Sequence, residues 1–529
     1  MRAMTNRGIA DALERLQRAV EADDPHEIID VITAEKWWLL PNHFPAMKAA
    51  LAHVPASMIA EHPLLRIAQP LILLTSHSLT PAARSSGTSQ QPAKTLTDTG
   101  ELLVEMIVSR VSSDYPTACS AAKRLADLTM TNAMASGYHA EDPAPLSLLH
   151  IGITYMLAGQ TREAIRALLW AKDLASESSY AFVYPDACAK LAVIFALRGS
   201  LHEAQRMLDE SRKSDAVPVF MSEFLDTTQR VARAMIALTR MDHDAGTLVG
   251  ELPGIDTLDE LWPFIVFIKA RFALGQKRPL EGLDIAELAF SSRPLVPGSL
   301  AAELLTSVLL DALLASDASE RACCLIDFVA EPGQRTEVAR ARLLVRVGNH
   351  DDAEFVLQDL LNSDLDPTVR LGAQLLEAEI AHHRGIPLKL TLARAVAGQV
   401  LCGSRWLLTQ TPSAVIVHIA DALPPDERAA FERAVLPDGS DTSKASRIQL
   451  TRGETSVLQA LSRTSTLDSA AAALHLSRNT VKTHLSAVYR KLGVNSKDDA
   501  LQKARQLGII SGMPNDGPDQ RVPHLDIRS

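Results

Sequence analysis

Three stretches of this chain place glycine, alanine and large aliphatic residues in one frame, and that repetition restricts the fold more than any other feature. Gly152, Tyr155, Gly159, Ala164, Leu168 and Ala171 are matched by Ala192, Phe195, Gly199, Ala204, Leu208 and Ser211. The frame returns at Ala341, Leu344, Gly348, Ala353, Leu357 and Leu360, with a fainter copy at Ala378, Ala381 and Gly385. Steps of three and four on either side of a central glycine are those of two helices. The glycine supplies the turn, and the small alanine after it lets the second helix approach the first. A single pair cannot bury its own apolar face, so the pairs must stack.

The frame resembles the tetratricopeptide repeat, which implies a curved α-solenoid covering most of residues 101–410. The turn glycines lie 40 residues apart (159 to 199) and 37 apart (348 to 385). Both steps exceed the regular period of about 34, so the solenoid is irregular. Phe224–Leu248 and Leu261–Leu274 read as further helices, with turn signals that do not align. A non-repetitive helical bundle is the alternative. Composition agrees with an all-α chain, since 47% of residues are hydrophobic but only 4% are aromatic.

Two polar stretches divide the chain. Residues 80–100, rich in Ser, Thr, Gln and Pro, read as a linker after an N-terminal helical segment, 1–79, that opens with an amphipathic helix over Gly8–Val20. Residues 436–447 read as a second linker, between a repeat domain over 101–435 and a terminal domain over 448–511; 512–529 reads as a disordered tail. The most apolar runs, Trp37–Leu40, Leu64–Leu74 and Leu261–Ile268, are short or broken by Pro, Arg or Gln, and no signal peptide opens the chain. The expectation is a soluble, cytoplasmic protein. Cys119, Cys188, Cys323, Cys324 and Cys402 have neither C-x-x-C nor metal-ligand spacing, and the adjacent pair fits a partly buried helix in a reducing compartment.

The terminal domain carries the chemistry. Ser477 reads as an N-cap, Gly493 as a C-terminal cap, and Val481, Leu485, Val488 and Leu492 fall on one face between them. The other face shows Asn479, Lys482, Thr483, Ser486 and Arg490, with no acid in the helix. Such a helix suits the major groove of DNA; the plainer reading is an ordinary amphipathic surface helix. Upstream, Thr451 and Glu454 form a capping box, and Val457, Leu458 and Leu461 an apolar stripe. A short second helix over the alanine run Ala470–Ala473 then gives helix-turn-helix order. A fourth helix begins at Asn495 or Ser496. From 450 to 510 there are nine Lys or Arg against four acids, a net of +5; the whole chain is −10, which leaves −15 elsewhere. An acidic body with a basic terminal module confines DNA binding to that module.

Residues 450–510, through L-T-x-x-E, L-x-x-S-x-x-T-V-K-x-H and Y-R-K-L-G-V, resemble the C-terminal DNA-binding domain of LuxR-type transcription regulators. Ala470 stands where a larger aliphatic is usual, and Gly453 where Arg is common. The resemblance implies a four-helix domain in which Lys482, Thr483 and Ser486 face base edges. It places Asn479, Thr480, His484 and Arg490 nearest the phosphates, and it gives the last helix, through Ala500, Ala504 and Leu507, the contact of a homodimer on an inverted-repeat site. A structural histidine is an equal reading for His484. The large MalT-like regulators join an ATPase, a helical repeat array and this same domain; only the last two are visible here.

No Gly-Lys pair occurs, so there is no phosphate-binding G-x-x-x-x-G-K-[ST] loop, and H-E-x-x-H, G-x-S-x-G and G-x-G-x-x-G are absent as well. His382 and His383 point about 100° apart on a helix and read as solvated rather than as metal ligands. The expectation is a non-enzyme without catalytic residues, metal or cofactor. It is a transcription regulator whose repeat domain senses a protein, peptide or small effector; the alternative is a helical-repeat adaptor whose terminal helices bind protein.

Overall fold

The computed structural model describes residues 2–61, 99–136 and 143–435, apart from 177, 179, 181, 214–218, 255–259 and 294. Nearer the C-terminus it describes 457, 458, 460, 461, 466, 469–471, 477–492, 494, 496, 497, 500 and 501. All regular structure among these residues is helical, with no strand. The chain forms two compact units, Met1–Val435 and Leu436–Ser529. The expected tail and 436–447 linker lie outside the described residues, as does the 80–100 linker up to residue 98.

The first unit opens with the helices Arg2–Glu21 and Pro25–Leu51, which share a small core that includes Leu16, Ile28, Ile32 and Leu39. From Thr99 onward, two residues before the expected boundary, the chain is a succession of helical hairpins. Thr99–Val111 pairs with Tyr115–Ser136, Ala144–Leu157 with Thr161–Ala175, and Val183–Arg198 with Leu201–Arg212. Further hairpins follow to Pro425–Val435, broken by a 3-10 turn at Trp406–Gln410. The repeat frame behaves as its spacing demands. Ala164, Leu168 and Ala171 are buried, as are Ala204, Leu208 and Ser211, and Ala353, Leu357 and Leu360.

The hairpin turns share one backbone device. Gly159 (φ 80°), Gly199 (φ 90°) and Gly348 (φ 83°) are left-handed, and each precedes the next helix by two residues. The Gly159 N–H donates to Met156 O and the next N–H to Tyr155 O, the paired bonds of a Schellman cap. The same conformation recurs at Ser113, Met241, Lys277 and Asp317. No glycine marks these turns, which leaves the frame without its signal through Phe224–Leu248 and Leu261–Leu274. Phe224–Leu248 itself is two helices, Val219–Arg240 and Ala245–Gly250, split at Met241.

The solenoid coils tightly enough to meet itself. Ala144–Leu157 touches Leu300–Ala315, Val183–Arg198 touches Pro367–His383, and Val219–Arg240 touches the 3-10 turn. The later hairpins therefore lie against the earlier ones in the same order. Polar bonds fasten the join: Arg198 Nε to Asp366 at 2.7 Å, Arg335 Nη2 to Leu197 O at 2.8 Å, and Arg405 N to Thr239 O at 2.9 Å. A Cβ on Gly159 would sit 2.9 Å from Gly298 O, and one on Gly199 2.3 Å from Thr368 Oγ1. One core cluster accordingly runs from Leu102 to Phe431. Cys323 and Cys324, expected to be partly buried, are exposed, because Ser319–Asp327 buries only Ala322. No described helix is long and apolar enough to cross a membrane.

Candidate nucleic-acid interface

In the second unit, Arg478–Leu492 is a single helix. Ser477 opens it as its sequence predicts: Thr480 N donates to Ser477 Oγ at 3.1 Å, and the two hydroxyls lie 2.8 Å apart. The preceding helical residues, 469–471, are opened the same way. Ser469 N donates to Thr466 Oγ1 at 3.2 Å and Ala470 N to Thr466 O at 3.2 Å, so Thr466 acts as the cap. Val494 N donates to Tyr489 O at 3.0 Å, and Ala500 N to Ser496 O at 3.0 Å, which starts the last helical turn.

The buried face is small and divided. Val481 and Leu485 pack with Val457, Leu461, Ala470 and Ala471. Val488 packs with Leu458, Ala500 and Leu501, and Tyr489 touches both groups. Ala470 is fully buried in the first group, so its small side chain matches a close helix crossing rather than a defect.

Opposite this core, Asn479, Lys482, Thr483 and Ser486 are exposed, and Thr480 and His484 are half-buried. The Thr483 hydroxyl donates to Asn479 O at 2.9 Å. Its donor is thus engaged within the helix, which leaves the methyl group and the oxygen lone pairs for a partner. The Thr480 hydroxyl is engaged with Ser477. Lys482, Thr483 and Ser486 occupy i, i+1 and i+4, one continuous strip of the surface. The Arg490 side chain, the proposed capping box at 451–454, and Ala504 and Leu507 lie outside the described residues. Ala500, expected in a subunit contact, is instead fully buried against its own domain's Leu458 and Val488.

The body holds two further polar clusters. A cavity of about 490 Å³ lies where the coil meets itself, lined by Arg162, Arg198, Glu303, Arg335 and Asp366 among others. There Glu303 caps the helix Gln334–Arg346, accepting from Thr336 N at 3.3 Å and Thr336 Oγ1 at 2.8 Å. Removal from water pulls the Arg335 pKa down, against the nearby charges of Asp366 and Glu303. The second cluster is a run of imidazoles. His350 and His383 have ring centres 5.1 Å apart, His383 and His382 6.2 Å, and His382 and His418 5.4 Å. His382 is half-buried rather than fully solvated. Among the described residues no three side chains are arranged to hold a metal ion. Sequence reading missed the cavity, whose lining comes from hairpins far apart in the chain, and found only His382 and His383 of the imidazole run, to which His350 and His418 are added by neighbouring hairpins.

Residues 448–504 match the family model described as bacterial regulatory proteins, luxR family. The transcriptional regulatory protein YdfI of Bacillus subtilis (strain 168) is 26% identical over 191 residues, which cover 33% of this chain and 84% of that protein. The C-terminal segment is therefore a LuxR-family DNA-binding domain.

Proposed function

We propose that a chain ending in a LuxR-family domain, on an acidic helical-repeat body, is a sequence-specific transcription regulator. One observation carries the reading: the capped helix Arg478–Leu492 buries Val481, Leu485 and Val488 and leaves Asn479, Lys482, Thr483 and Ser486 exposed, with no acid. Lys482 donates to guanine O6 or N7, the Thr483 methyl meets a thymine methyl, and Ser486 reaches a base edge through water. Asn479, Thr480, His484 and Arg490 lie along the phosphates, with Thr480 contributing mainly backbone because its hydroxyl serves the cap. Two domains pair on an inverted repeat whose half-sites lie about one helical turn apart. With Ala500 in the core, the pairing surface falls to Ala504 and Leu507. The body senses a protein, peptide or small effector and changes how the domains are presented to DNA. YdfI, by its name a transcriptional regulatory protein, supports the reading.

Selection of sheared genomic DNA by the full-length protein tests this, alongside the Lys482→Ala/Thr483→Ala variant. Enrichment of a few inverted-repeat fragments by the wild type alone is the expected result. Absence of any enrichment at low salt, with full-length protein and terminal domain alike, would instead favour the adaptor reading.

A further inference from the structure

Four arginines inside the helical body are paired with carboxylates. Arg110 reaches both oxygens of Glu260, at 2.8 and 3.3 Å. Arg198 and Arg335 share Asp366, and Arg342 is bonded to Asp311. Arg271 has no such partner among the described residues. Its side chain is buried, and its guanidinium carbon lies 3.5 Å from the ring centre of Trp406 and 4.9 Å from that of Phe267. Among the described residues no oxygen accepts a hydrogen bond from that guanidinium. Trp406 is itself buried and fixed, since its Nε1–H donates to the backbone carbonyl of Arg271 at 3.0 Å.

Aromatic rings satisfy the faces of a guanidinium plane but leave the N–H fork along its edge without an acceptor. A buried cation without an anion is costly. Removal from water pulls the Arg271 pKa down to about 9; the charge of Asp311 opposes this, and those of Arg335 and Arg342 add to it. Asp311 does not fill the role, being engaged with Arg342. The residue before Trp406 shows the same want, because Arg405 Nε is buried with no partner. Arg271 retains 9% exposure.

We propose that Arg271 anchors a small oxyanion, a ligand bearing a carboxylate or phosphate group, gripped in the plane of the N–H fork with Trp406 as its floor. The fork geometry matches two oxygens of such a group at once, which an ammonium cannot do. Binding at Arg271 stands on these contacts alone; its regulatory consequence rests on the reading of the body as effector-sensing.

The test titrates the full-length protein with sodium acetate, sodium benzoate and inorganic phosphate at ionic strength held constant with chloride. Tryptophan fluorescence and melting temperature are read together. The expected result is a saturable fluorescence change and a raised melting temperature with a carboxylate or with phosphate; whichever saturates names the ligand's anionic group. Arg271→Met removes the response, and without added anion it melts no lower than the wild type, because an unpaired buried charge has been removed. Arg271→Lys keeps the charge but not the fork, and weakens binding at least about tenfold. Equal response to chloride and to every oxyanion overturns the proposal, as does saturation of Arg271→Met like the wild type. Should Arg271→Met not fold, Arg271→Lys decides, and unchanged affinity there overturns it. DNA affinity measured with and without the saturating anion separates the two readings. An unchanged value removes the effector role but keeps the site, whereas loss of all DNA binding refutes the regulator and leaves the site intact.

Discussion

The helical body and the DNA-binding domain both cap helices locally, and the body adds bonds that span its coil. In the domain, the caps are local: Ser477 serves Thr480 and Thr466 serves Ser469, each three residues on. In the body, decisive bonds span the coil, as from Arg198 to Asp366 or from Arg335 to Leu197. The domain's core is a handful of side chains around Tyr489, whereas the body's runs through every hairpin from Thr99 onward. A motif whose contacts are local can be attached to unrelated chains and still fold, and its residues stay readable. A coil that meets itself takes its register from residues that only the finished fold brings together.

The largest effect is expected at the domain's surface: Lys482→Ala/Thr483→Ala abolishes site preference, at about 1–3 kcal/mol of discrimination for each lost base contact. Circular dichroism stays unchanged, and loss of helicity instead would mean that these side chains belong to the core. Next comes Asp366→Ala, which strips the shared carboxylate from Arg198 and Arg335 and costs about 3 kcal/mol in urea unfolding. Hydrogen exchange should then rise in Val183–Arg198 as well as Pro367–His383. Confinement to the second helix would show that the two turns of the coil are not coupled.

Glycine substitutions sharpen the same point. Gly199→Ala meets both a left-handed backbone and the Thr368 hydroxyl, and costs about 2–3 kcal/mol. Gly348→Ala has the same backbone but open space around its Cβ, and costs about 1 kcal/mol. Equal values would remove the coil's self-contact as a source of stability. The smallest effect is Ser477→Ala, about 1 kcal/mol or less, seen as faster exchange at the start of Arg478–Leu492 with the body unaffected.

Legibility in the sequence followed the same division. The helix Arg478–Leu492, its cap and its buried stripe could be read because side chains three and four apart settle them. Glycine turns at 159, 199 and 348 were readable for the same reason. Turns at Ser113, Met241 and Lys277 were not, because those residue types do not advertise a left-handed conformation, and Asp317 does so far less than glycine. The burial of Ala500 escaped notice because small residues on a short helix suit an internal contact as well as an external one. Arg271 gave no signal at all. In sequence it is one of two cations in an apolar helix, beside Lys269, and only Trp406, 135 residues later, reveals what it lacks.

The self-contact of the coil has a consequence for descent. A ribbon of repeats grows and shrinks by duplication or deletion of a unit, with each change felt only next door. Here the loss of one hairpin between Ala144 and Asp366 would shift every later helix against the wrong earlier one. Such a lineage varies its residues more readily than its number of hairpins.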